Sequence, residues 1–237
     1  MWDLLPDLIQ LSLSLSQALR QELQKLVYLG PLRANPERHY TFSGNMAHDV
    51  GKSGGEMPDI LYGQQRLVDE TNEWLKRFGT DYSLRVSRFE RSGFGLDLVD
   101  DGQTETAVSI ADVGFGISQV LPIIVQSFMS QDTTVLIEQP ELHLHPRLQA
   151  ELGDLFADSM ADQHNQFIIE THSEHLILRL QKLIRKGQLK PSDVSVVYVM
   201  KGEEGSVCCP LRLDEEGDFI DEWPEGFFEE GYKEMFE

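Results

Sequence analysis

The chain has 237 residues, 41% of them hydrophobic and 9% aromatic, which is enough for a sizeable core and excludes global disorder. Its 40 acidic against 20 basic side chains give a formal net charge of -20, a field that opposes unaided binding to nucleic acid or an anionic membrane. The only cysteines, Cys208 and Cys209, are neighbours and cannot make a disulfide framework. With no secretory leader and no apolar run approaching ~18 residues, the sequence reads as that of a cytoplasmic protein without a membrane partner.

Residues 2–26 carry Leu4, Leu8, Leu11, Leu15, Leu19, Leu23 and Leu26 in steps of three and four, which predicts a helix with one apolar stripe, in spite of the LSLSLS alternation inside it. Such a stripe reads as core packing, or as a helix separated from something that precedes it. VYLG at 27–30 predicts a short strand, and residues 31–57 are polar and loop-like. Pro58 suits the first turn of a second helix through Leu61, Leu67, Val68, Trp74 and Leu75, stopped by Gly79. YSLRVSRF at 82–89, GLDLV at 95–99 and TAVSI at 106–110 read as antiparallel strands. From residue 112 the pattern becomes helix (GISQVLPIIVQSFM), strand (TTVLIE), helix (PRLQAELGDLFADSM), strand (QFIIE), helix (SEHLILRLQKLIRKG) and strand (VSVVYVM). That alternation predicts an α/β fold: a mostly parallel sheet covered by helices on both faces, with a small antiparallel portion before it. The two cysteines fall in an apparent further strand, where at least one reads as a small core residue. Residues 203–237 hold 13 acidic side chains against Arg212 and Lys233, a solvated acidic segment or a docking site for a basic partner.

Two places invite a nucleotide reading. Gly51-Lys52-Ser53 matches the end of the phosphate-loop motif G-x-x-x-x-G-K-[ST], but Met46 stands where the first glycine belongs. No apolar strand precedes the stretch, and Gly54-Gly55 with Pro58 argue against a helix starting directly after it, so GNMAHDVGKSGG is read as a polar loop. The second place is stronger. In open parallel sheets ligands bind beyond the carboxyl ends of the strands. TTVLI is followed by Glu138-Gln139-Pro140-Glu141-Leu142-His143-Leu144-His145-Pro146, and FII by Glu170-Thr171-His172-Ser173. Carboxylate, amide and imidazole groups so placed suit a hydrated magnesium ion, an oriented water and a terminal phosphate.

The strand with EQPELHLHP resembles the Walker B segment and D-loop of ABC-class ATPases of the SMC, RecF and OLD type. The strand with Glu170-Thr171-His172-Ser173 resembles their histidine switch, and DVGFGISQ at 112–119 their glycine-rich signature opening a helix. YLGPLRANPERHYTFSG and GDFIDEWPEGFFEE are similar to a prokaryotic group of such ATPases that ends in a short domain of unknown function. The resemblance implies an ABC-type half of a P-loop NTPase using ATP and magnesium. In that group the Walker A loop lies well before a segment like YLGPLR. The chain is therefore expected to lack it and to depend on a homodimer or a Walker A-bearing partner, with a DNA-associated complex suggested by analogy only. The expected organisation is an N-terminal helix (1–26), a helix plus antiparallel strands (27–111), the ATPase lobe (112–200) and the acidic segment (201–237).

By the resemblance, Glu138 matches the carboxylate that holds magnesium, and His172 the switch histidine, which could also be a buried structural histidine. Gln139 stands where a glutamate usually polarises water; an amide can orient water but cannot take its proton. Glu141 could serve as base instead or be a structural D-loop residue. In the signature, Asp112, Gly114, Gly116 and Ser118 are the candidate nucleotide contacts: Gly114 replaces the usual serine, Gly116 keeps a close backbone approach, and Ser118 supplies a hydroxyl. Two alternatives remain: a zinc site from His143, His145, His172 and His175, and a non-catalytic pseudo-ATPase that serves as an interaction or dimerisation module.

Overall fold

A computed structural model of the chain describes residues 5–89, 93–100, 102 and 106–224, except the side chains of residues 5–8 and Phe115. Leu4, the Leu8 side chain and residues 225–237 of the acidic segment lie outside the described residues. The chain divides into two compact units, one of Met1–His145 with Asp158–Thr171 and one of Pro146–Ala157 with His172–Glu237.

The first unit holds a parallel sheet flanked by helices and an antiparallel sheet. The parallel sheet has the order β1 (Leu26–Leu29), β6 (Thr134–Glu138), β7 (Gln166–Glu170). Its register aligns Tyr28 with Leu136 and Glu138 with Glu170, so all three strands end at one edge. Alternation along the strands then gives two unlike faces. Val27, Leu29, Val135 and Ile137 fill the buried face. Tyr28, Leu136, Glu138, Ile168 and Glu170 share the other, where Ile168 is 56% exposed. The face that carries Ile168 is the less buried of the two.

The antiparallel sheet has the order β2 (Tyr40–Thr41), β4 (Gly93–Asp100), β3 (Tyr82–Arg88), with β5 (Ala107–Ser109) also paired to β4. Asn72 holds β3 from the side, donating from Nδ2 to the Leu84 carbonyl at 3.0 Å and accepting from the Leu84 N–H at 2.6 Å. A side-chain amide thereby stands in for a neighbouring strand.

The second predicted helix is two, α2 (Met57–Gly63) and α3 (Gln65–Arg77), because Gln64 takes an extended conformation between them. The leucine stripe of α1 (Leu5–Leu23) is not core: Leu11, Leu15, Leu19 and Leu23 are 55–62% exposed. Helix α4 (Phe115–Met129) is the opposite case, with every residue from Ser118 to Phe128 buried. A helix apolar all round belongs in a core. The loop before α2, expected to be a plain polar loop, is anchored to α4. Val50 is fully buried, and its N–H donates to Oε1 of the buried Gln126 at 2.9 Å.

At this same C-terminal end of α4, Asn165 is 2% exposed and satisfies four groups. Its Nδ2 donates to the carbonyls of Ser127 and Ser130 and to Ser159 Oγ, each at 3.1 Å, and its Oδ1 accepts from the Thr133 N–H at 3.1 Å.

The second unit contains the first three turns of α5 (Pro146–Gln163), α6 (Glu174–Arg185) and a hairpin of β8 (Val196–Lys201) and β9 (Ser206–Leu211). VSVVYVM therefore does not extend the parallel sheet; it pairs antiparallel with the cysteine-bearing strand. Cys208 is exposed and Cys209 half-buried, so neither is a core residue of the expected kind. Helix α6 starts on Ser173, whose Oγ accepts from the Leu176 N–H at 3.1 Å.

Asn165→Ala should destabilise the protein by about 2 kcal/mol, because several buried groups lose their partner at once. A urea unfolding curve measures the shift.

Candidate nucleotide site

The parallel register brings three chain segments to one edge. Tyr28 sits beside Leu136, two residues before Glu138 and on the same face, a diagonal a long side chain can span. Its hydroxyl donates to Glu138 Oε1 at 2.6 Å. That bond, with burial and the nearby charges of Glu138 and Glu170, pushes the Tyr28 phenol above its ordinary range.

The turn after β6 is tightly held. Gln139 has φ 45°, a left-handed conformation that a side chain adopts at a cost, and its N–H donates to the Glu170 carbonyl at 2.8 Å. Arg33 is 5% exposed and lies under this turn. Its Nη2 donates to the Glu138 carbonyl and its Nη1 to that of Gln139, both at 3.2 Å, while Nη1 also reaches the Pro31 carbonyl at 3.3 Å. Burial lowers the Arg33 guanidinium to about 10, with Glu141 opposing the shift, so it stays charged at neutral pH. Arg33 Nε is buried without a partner. The turn continues through Glu141, whose Oε2 accepts from the Thr171 hydroxyl at 2.8 Å, joining the exits of β6 and β7. His143 follows with φ 63°.

The start of α4 meets this same turn. A Cβ on Gly116 would stand 3.1 Å from the His143 carbonyl, so a residue without a side chain permits the approach. Gly114 is the N-cap of α4 and makes no side-chain capping bond. Asp112 lies just before it in a two-point ion pair with Arg38, at 2.6 and 3.1 Å, and the guanidinium holds its carboxyl below the usual range. Ser118 is 5% exposed.

The family model for an AAA ATPase domain matches residues 48–177, more than half of the chain. The chain belongs to this AAA ATPase domain family. A second model, for a protein family of unknown function (DUF3696), matches residues 189–237. Among curated proteins none matches. Among solved structures, the chain is similar to a SmcHead bound to the C-winged helix domain of ScpA, with 12% identity over 73% of this chain and 53% of that one and a TM-score of 0.50. It is also similar to an SMC ATPase studied for ATP-driven dimerization and DNA stimulated activation (13% identity, 64% and 87%, TM-score 0.48). The SMC head domain from Thermotoga maritima is a further match (12%, 71% and 58%, TM-score 0.45). The likeness to the SmcHead is one of fold, that of an SMC-head P-loop NTPase.

For this AAA ATPase domain, an ATPase-like nucleotide-binding module, the structure brings together Glu138, Gln139, Glu141 and Gly116 within one unit. His172 is the next residue after Thr171 in the chain, is exposed and belongs to the second unit. Sequence reasoning did not single out Tyr28 and Arg33, and it weighed Lys52 only as part of a phosphate-loop motif that fails on spacing. The loop of Gly51-Lys52-Ser53 runs beside the exit of β1, its Lys52 and Ser53 carbonyls accepting from the Gly30 and Ala34 N–H groups at 2.8 and 2.7 Å. The Lys52 ammonium stands 5.4 Å from the centroid of the Tyr28 ring. The one available signal was that Arg33 is the sole charge between Leu26 and Pro36. Among the described residues, no three His, Cys, Asp or Glu side chains are grouped to hold a metal, and no helix is long and apolar enough to cross a membrane.

Arg33→Ala should cost on the order of 3 kcal/mol, since three carbonyls lose a charged donor in a buried place. Guanidinium-denaturation midpoints of the variant and of Arg33→Lys measure it, with lysine recovering only part because it lacks the planar fork.

Proposed function

We propose that the chain is an ATP-binding and ATP-hydrolysing lobe that contributes signature, Walker B and histidine-switch groups, and that a Walker A loop is supplied by another segment or subunit. The observation that carries this reading is the convergence of Glu138, Glu170 and the start of α4 on the turn after β6 in a chain of the AAA ATPase domain family. Residues 1–237 contain no complete G-x-x-x-x-G-K-[ST], and Gly51-Lys52-Ser53 sits in a loop without a preceding strand of the parallel sheet.

The donor set fits magnesium. Glu138 and Glu170 are hard oxygen donors side by side, and magnesium typically takes one or two carboxylates and completes its shell with water and phosphate. When bound, the ion would neutralise phosphate charge. Glu138 would hold it; Gln139 would orient a water; His172 would donate to the terminal phosphate of ATP. Backbone N–H groups from Gly114 and Gly116 would face a phosphate at the start of α4, where the helix dipole favours an anion; Asp112, expected beside them, gives its own N–H to the Ser109 carbonyl at 2.9 Å. Ser118, expected to offer its hydroxyl to the nucleotide, is 5% exposed and would do so only where α4 is uncovered.

The partner is a second copy of the chain or a Walker A-bearing subunit, and the site of action is the cytoplasm. An association with DNA is drawn only by analogy with the ATPases the sequence resembles; at a net charge of -20, the basic contact would come from a partner. A second reading, a non-catalytic dimerisation module, is favoured by the amide at Gln139 and by the engagement of Glu141 with Thr171, which together leave the site without an obvious free base.

Calorimetric titration of the chain alone with Mg-ATP should show no affinity tighter than roughly micromolar; tighter binding would mean that the phosphate grip is already present. In the completed complex, Gln139→Glu should raise ATP turnover by about 100-fold or more, as expected for a restored general base. An unchanged rate would favour the dimerisation module.

A further inference from the structure

The loop of Gly51-Lys52-Ser53 and the strand β1 have no part in the proposed chemistry, yet both bear on Tyr28, which reaches the Glu138 carboxylate. Tyr28 reaches Glu138 Oε1 across the sheet at 2.6 Å. The ring that carries this hydroxyl is held from two sides. Its strand is fixed by the parallel register with β6, and the Lys52 ammonium lies over it at 5.4 Å. A Cβ on Gly30 would come within 3.3 Å of the Tyr28 hydroxyl and 3.5 Å of the Lys52 carbonyl, so the chain leaves room for the phenol there. The main chain of Glu138 is clamped in parallel by Arg33 from the same strand exit.

We infer that Tyr28 is a positioning residue for Glu138: its hydroxyl fixes one carboxylate oxygen and thereby aims the other at a divalent cation. This rests on the magnesium role proposed for Glu138. A glutamate carboxylate stands at the end of a flexible side chain, so it needs an external restraint to hold one orientation. Hydrogen-bonded partners of metal-binding carboxylates typically change metal affinity by 10–100-fold when removed. Lys52, by covering the ring face, and Arg33, by holding the turn, make the restraint stiff.

The test uses the full 237-residue chain, with Mn2+ as the probe and electron paramagnetic resonance counting the free ion. Tyr28→Phe keeps the ring and removes only the hydroxyl, and its thermal unfolding, compared with that of the native chain, controls for folding. Mn2+ affinity is expected to fall by about 10-fold in Tyr28→Phe and further in Glu138→Gln. A second readout needs no metal. In protein labelled at the tyrosine Cζ carbon, the Tyr28 resonance, identified by its loss in Tyr28→Phe, should move in Glu138→Gln.

If Glu138→Gln loses Mn2+ while folded Tyr28→Phe binds it like the native chain, or if the Tyr28 resonance is unmoved by Glu138→Gln, the role given to Tyr28 is overturned and the metal reading stands. If the native chain binds no Mn2+, or Glu138→Gln binds it unchanged, the metal reading falls and takes the positioning role with it.

Discussion

The candidate site depends on a buried charge. Arg33 gives its guanidinium to carbonyls that an ordinary strand exit would leave to solvent, and so fixes a left-handed residue directly after the last pair of the sheet. Left to itself, Gln139 would prefer another conformation, and the exit of β6 would take several directions. With the carbonyls of Glu138 and Gln139 both held by one planar group, the backbone direction is set. The side chain of Glu138 then has a fixed root, and the following residues reach Thr171 at the end of β7.

The same turn receives the start of α4, and the last turn of α4 is held as well. Val50 and Gln126 tie it to the 50–54 loop, while Ser127 and Ser130 are tied through Asn165 to the segments before β6 and β7. Gly116 closes on the His143 carbonyl with no room for a methyl group to spare. The glycine-rich turn and the strand exits are therefore parts of one packed body. A change in either must be felt by the other, because cores transmit small displacements rather than absorbing them.

Much of the fold was legible because its signals are local. QFIIE and TTVLIE show as apolar runs bounded by polar residues, and GISQVLPIIVQSFM as a helix without a polar face. The exits Glu138 to Glu141 and Glu170 to His172 followed from the rule that parallel strands end at ligands. What was not legible is long-range. Tyr28 and Glu138 are 110 positions apart, and Arg33 lies 105 and 106 positions from its acceptors. Nothing in the periodicity of VYLGPLR says which strand it will join. The leucines of α1 misled for the complementary reason: a 3.6-residue stripe reports amphipathicity, and amphipathicity does not name the surface that would cover it. VSVVYVM looked like a parallel-sheet strand because a short apolar run is compatible with either pairing.

Lys52 illustrates how a motif can fail while its residue still matters. The spacing around Gly51-Lys52-Ser53 is wrong for a loop that wraps phosphates, and Lys52 and Ser53 instead run beside the exit of β1, giving carbonyls to Gly30 and Ala34. The N–H groups of Gly51 and Gly54 go to Asp49 Oδ1 and to the Gly51 carbonyl, at 2.7 and 3.0 Å, whereas a phosphate cradle needs N–H donors pointing at a ligand. What the loop does deliver is a cation over the ring of Tyr28, the residue bonded to Glu138. The loop reaches that carboxylate only through the ring of Tyr28.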